Sequence, residues 1–77
     1  MIETYKTNDI ILASTLKLKG YPIVDIQRHG NIGTFVFHDV EDKHIKEFDL
    51  GQSLVEPLQF NNTIKSLTTA VRRLVND

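Results

Sequence analysis

The chain carries three histidines, His29, His38 and His44, and no cysteine. His38 and His44 are separated by six positions, with Asp39, Glu41 and Asp42 between them. Imidazole and carboxylate together can hold a divalent metal, but ligands on one helix face need a spacing of three or four. This spacing matches no metal signature, and solvated polar residues at a strand end and a helix start explain it. Without cysteine there is neither a disulfide framework nor a thiolate site, which fits a reducing compartment.

A nucleophile is no better supported. Ser14, Ser53 and Ser66 lack a nearby histidine or lysine that would activate the hydroxyl. Asp39 and Glu41 fall in a charge-rich run, with no apolar setting to split their pKa values. A chain of 77 residues also has little volume for a deep pocket. The spacing Gly30-x-x-Gly33 matches the letters of an RNA-clamping loop, yet it falls in a hairpin rather than between two helices. The expectation is therefore no catalytic residue, no cofactor, no metal and no small-molecule substrate.

Basic residues offer a different chemistry. Lys17 and Lys19 near one helix end, with Arg28 and His29 at a hairpin tip, would make a basic edge for phosphate. Arg72 and Arg73 add a second cluster. The formal net charge of −1 gives no general push toward nucleic acid.

The elements that must position these residues centre on Pro22 to His38. Apolar, β-branched and aromatic runs flank His29-Gly30-Asn31, a hairpin turn whose loop is either His29-Gly30 or Gly30-Asn31. In both registers Val24, Ile26, Phe35 and Phe37 share one face, and Asp25, Gln27 and Thr34 the other. Two strands alone are marginal in water, so helices must cover the phenylalanine face.

Thr7-Asn8-Asp9 offers an N-cap for a helix over 8–19, which Gly20 ends. Its apolar residues point two ways, Leu12, Ala13 and Leu16 on one side and Ile10, Ile11 and Leu18 round toward the other. The helix is either buried between sheet and C-terminal helix or keeps a side for a partner. Asp39 is expected to cap a short helix over 40–49, with Ile45 and Phe48 inward. Glu56-Pro57 opens the longest helix, 57–75, along the seam Phe60, Ile64, Leu67, Val71 and Leu74. The segment 1–6 reads as a lead anchored by Ile2 and Tyr5, or as an extra strand. The sequence thus predicts a single α+β domain over 1–77, ordered α-β-β-α-α, with a two-stranded antiparallel hairpin packed against helices.

Its expected core is Leu12, Leu16, Val24, Ile26, Phe35, Phe37, Phe48, Phe60, Ile64, Leu67, Val71 and Leu74. No apolar run approaches the length of a membrane span, and MIETYKTND lacks a signal-peptide pattern, so the expected location is cytoplasmic.

The stretches TYKTNDIILASTLKLKGYPIVDI, GTFVFHD and GQSLVEPLQFNNTIKSL carry a further mark. Their shared features are Tyr5-Lys6-Thr7, Asp9, Leu12-Ala13, Lys19-Gly20, Phe35-Val36-Phe37, and Val55-Glu56-Pro57 with Phe60. In these the chain resembles, over residues 4–75, a family of short bacterial and phage proteins catalogued only as a domain of unknown function. Members more often carry Asp at Glu56 and an acidic residue at His38, departures that bear on the helix cap and the strand end. The resemblance implies a phage or mobile-element setting, with the host cytoplasm as location; it supplies no activity and no site residues.

The function expected is an interaction module that binds another macromolecule, a protein in the first reading, with Ile11 and Leu18 as candidate interface. A homodimer is expected too, through the same helix first and the C-terminal helix second. The alternative is nucleic-acid binding through Lys17, Lys19, Arg28, His29, Arg72 and Arg73. No membrane partner is expected.

Overall fold

The computed structural model describes residues 2–76; Met1, Asp77 and the side chains of Ile2, Val75 and Asn76 lie outside the description, and with them the anchor role expected of Ile2. The elements are β1 (Ile2–Thr7), α1 (Ile10–Leu18), β2 (Ile23–His29), β3 (Ile32–Val40), α2 (Asp42–Asp49) and α3 (Pro57–Asn76). The α+β class is as expected. The sheet, however, has three strands in the order β1-β3-β2, both pairings antiparallel. Of the two readings left open for the first segment, the structure takes the extra strand, β1 beside β3, and β3 is the central strand.

The hairpin turns at Gly30-Asn31, since His29 pairs with Ile32. Gly30 has φ 64° and Asn31 an ordinary φ, the arrangement of a II′ turn with glycine first. Ile26 then faces Phe35 as the turn dictates. Beyond it the register slips: Asp25 pairs with Val36, but Ile23 rather than Val24 faces Phe37. Val24 is the bulged residue and is 47% exposed, which corrects its place in the expected core. Ile23 packs on the core instead.

At the far end of β3, Asp39 has φ 57°. This left-handed residue breaks the alternation of the strand, so Val40 joins Phe35 and Phe37 in the core although its number has the other parity. Asp39 therefore caps nothing; the N-cap of α2 is Glu41, and α2 begins two residues later than expected.

α1 starts where Asp9 accepts hydrogen bonds from the Ile11 and Leu12 amides, at 2.9 and 3.3 Å. It ends in a Schellman arrangement, Tyr21 N–H to Leu16 O and Gly20 N–H to Lys17 O, each 3.1 Å. α2 ends the same way, through Gln52 N–H to Glu47 O and Gly51 N–H to Phe48 O. At the start of α3 the Glu56 carboxylate accepts the Gln59 amide at 2.6 Å.

α1 buries five consecutive residues, Leu12 to Leu16, more than one face can hide against a sheet. It packs on β1, on α2 and above all on α3. The core is Leu12, Ala13, Leu16, Phe35, Phe37, Val40 and Leu67, flanked by Tyr5, Ile10, Tyr21, Ile23, Ile26, Ile45, Phe48 and Val71. Phe60 and Ile64 are half-buried and Leu74 is exposed, so the seam of α3 is buried in its middle and open toward its end.

Candidate functional site

Direction along the sheet decides which candidate residues meet. β1 and β2 both run antiparallel to β3, so they are parallel to each other, and α1 must return between them. α1 therefore starts near the hairpin end, after Thr7, and finishes near the start of β2. Lys17 and Lys19 lie at that second end. Arg28 stands five residues further along β2 than Ile23, about 17 Å at the usual strand rise. The expected basic edge between helix end and hairpin tip is not assembled.

The C-terminal cluster does reach the tip. Val71 of α3 lies over Gly33, where an added Cβ would fall 2.6 Å from Val71 Cγ2. Three residues on, the Leu74 carbonyl accepts from Arg28 Nη1 at 3.5 Å. Arg28 Nε also donates to the Gly30 carbonyl at 2.6 Å. The guanidinium thus ties the hairpin turn to the end of α3, where a cation also suits the helix dipole. Arg72 and Arg73 are exposed beside it, and His29 sits at the turn. Among the described residues no carboxylate lies within ion-pair reach of Arg28, Arg72 or Arg73.

The histidines do not come together. His29 and His38 are exposed. His44 is half-buried on α2, with Glu41 Oε2 3.9 Å from Nε2 and Glu47 Oε1 3.6 Å from Nδ1. The Tyr21 ring meets its imidazole edge-on at 5.5 Å, and the Tyr21 hydroxyl accepts the Glu41 amide. The two carboxylates flank opposite nitrogens, so they do not converge on one point. Among the described residues no group of three or more His, Cys, Asp or Glu is placed to hold a metal, and no pocket is enclosed. Ser14 Oγ and Ser53 Oγ are buried without a hydrogen-bond partner, hence without a base.

What the surface does present is apolar. Leu54 in the connection from α2 to α3 is 89% exposed, Leu58 in the first turn of α3 66% and Leu50 at the end of α2 59%. Ile32 at the hairpin is exposed as well. Ile11, one of the two interface candidates on α1, is 43% exposed, whereas Leu18 is half-buried. The leucines of the connection escaped sequence reasoning, although a signal existed: Leu54 and Leu58 flank the Glu56-Pro57 helix start and fall off the seam that begins at Phe60.

The sheet face turned away from the helices is uncovered. Across it Lys6, Val36 and Asp25 form one row, Thr4 and His38 a second, Thr34 and Gln27 a third. Val36, at the centre of this face on the middle strand, is only 5% exposed. No described helix is long and apolar enough to cross a membrane. Comparison with family models, curated proteins and solved structures yields no match to this chain.

Proposed function

We propose that the chain is a small non-enzymatic interaction module whose partner is another protein. The observation that carries this reading is the exposure of Leu54, with Leu58 and Leu50 beside it in sequence. Leaving large aliphatic side chains in water forgoes burial worth about 1.5–3 kcal/mol each, and a partner surface recovers it. Ile11 on α1 extends the candidate surface. The setting that goes with the family resemblance is that of a phage or mobile-element accessory protein acting in the host cytoplasm.

The test is affinity capture from host lysate with the native chain and with a Leu54→Asp/Leu58→Asp variant. A partner retained by the native chain and released by the variant, whose melting temperature stays unchanged, is the expected result. Identical capture by both proteins would sink the assignment of this surface.

A second reading has its own observation: Arg28 at the hairpin tip reaches the Leu74 carbonyl, which follows the exposed Arg72 and Arg73, and Arg28, Arg72 and Arg73 have no carboxylate partner among the described residues. That end would contact the phosphates of a nucleic acid. Labelled single- and double-stranded DNA and RNA are titrated at two salt concentrations. Binding that weakens steeply with salt and is lost in Arg72→Ala/Arg73→Ala would replace the protein-binding reading. No binding at low salt removes the alternative.

A further inference from the structure

We propose that two copies of this chain associate through β1, edge to edge and antiparallel, into one continuous sheet. This goes beyond the protein-binding reading and does not depend on it.

The order β1-β3-β2 leaves the outer sides of β1 and β2 without a strand. Such an edge is a row of unpaired donors and acceptors that a second strand can meet. β2 is closed to that use. Its register is broken by the bulge between Ile23 and Asp25, and the Asp25 carboxylate accepts the Ile26 amide at 2.9 Å. β1 has none of these guards. It pairs with β3 in steady register from Thr4 to Thr7 and contains no proline or glycine. Among the described residues, no hydrogen bond from a side chain or from another element reaches its backbone. Its residues, Ile-Glu-Thr-Tyr-Lys-Thr, are largely good strand formers.

The strand is also compatible with itself. A two-fold axis normal to the sheet sets residues of equal parity opposite each other. Centred on Thr4, it pairs Thr4 with Thr4 and Glu3 with Tyr5. Centred on Tyr5, it pairs Tyr5 with Tyr5, Thr4 with Lys6 and Glu3 with Thr7. Neither register sets like charges face to face, which is the arrangement that cross-strand pairing penalises. The same axis keeps the helices of both copies on one side.

Sedimentation equilibrium across micromolar to millimolar concentration gives the first test. A monomer–dimer equilibrium is expected. Thr4→Lys places lysine opposite lysine in either register, on the solvent face, and should weaken the dimer about tenfold or more with an unchanged circular dichroism spectrum. Gln27→Lys, on the same face but on β2, should leave it intact. Hydrogen exchange should show alternate β1 amides slowing as concentration rises, with β2 unaffected. A chain that stays monomeric at millimolar concentration overturns the proposal. So does a dimer indifferent to Thr4→Lys, or protection that appears on α1 around Ile11 instead of on β1.

Discussion

β1 and β2 flank the same central strand, and the two edges are finished in opposite ways. β2 spends a residue on a bulge at Val24, folds the Asp25 carboxylate onto the next amide, and is tied by Arg28 to the end of α3. β1 pairs regularly and is left bare. Polar side chains and broken registers are the ordinary means of keeping sheet edges from pairing with strangers. β1 carries polar side chains, Glu3 and Lys6 among them, but neither a broken register nor a side chain bonded to its backbone among the described residues, and in that the two edges differ.

Four measurements break or sharpen this contrast. The largest effect belongs to Phe37, which faces Tyr5 on one side and Ile23 on the other and is fully buried. Phe37→Ala should cost about 3–5 kcal/mol, enough to unfold so small a domain, and both edges should lose protection together in urea titration followed by hydrogen exchange. Loss confined to one edge would mean that the strands are less coupled than their shared partner implies.

Gly33 touches only the β2 side, opposite Arg28 and under Val71. The stiff, β-branched Val71 side chain has no room for an added methyl group. Gly33→Ala should cost about 1–3 kcal/mol in thermal unfolding and loosen β2 and α3 before β1.

Tyr5 probes the other edge by pH. Burial, and then the Asp49 and Asp9 carboxylates, raise its hydroxyl above the usual 10.0. The folded chain thus holds this proton more tightly than the unfolded one. Stability from this group is complete below the unfolded pKa of 10.0 and falls as pH rises past it. The stability of Tyr5→Phe should decline less between neutral pH and pH about 11, as denaturant midpoints would report. Equal alkaline losses in both proteins would show that Tyr5 is not the group responsible.

The smallest effect is expected of Asp25→Ala, which frees the Ile26 amide at a cost of about 0.5–1 kcal/mol or less at this exposed site. Faster exchange at Ile26 and a greater tendency to associate through β2 are the outcomes to look for. Unchanged exchange would mean that the bulge alone guards this edge.

Legibility from the sequence follows the range of the interaction. The Gly20 stop and the Pro57 helix start are each decided within about four residues and are readable; the same range narrows the turn to His29-Gly30 or Gly30-Asn31 and the cap to Thr7-Asn8-Asp9, between which the structure chooses Gly30-Asn31 and Asp9. β1 is not, because nothing local in IETYKT demands a partner; its status as a strand comes from β3, and the sequence leaves lead and strand both open. The bulge at Val24 is hidden for a related reason. Ile23 and Val24 are both β-branched, and tertiary packing chooses which one faces Phe37. Asp39 looks like a cap because Asp often is one; its left-handed backbone is legible only once Val40 is seen in the core. Of the candidate surfaces, the residue types are visible in sequence, but which basic groups share an end depends on the parallel course of β1 and β2.

That course also sets an order of assembly. The hairpin closes locally: His29 and Ile32 are neighbours across a two-residue turn, and its most distant pair is Ile23 with Phe37. β1 must instead find Phe35 from Thr7 and Val40 from Ile2, across the whole of α1 and the hairpin. Closing the longer loop costs more chain entropy before any contact rewards it. The β2–β3 hairpin is therefore the natural nucleus, and β1 the strand that joins it later. During synthesis β1 leaves the ribosome before the strand it must join exists, and it waits as an unpaired segment until residues 32–40 have followed.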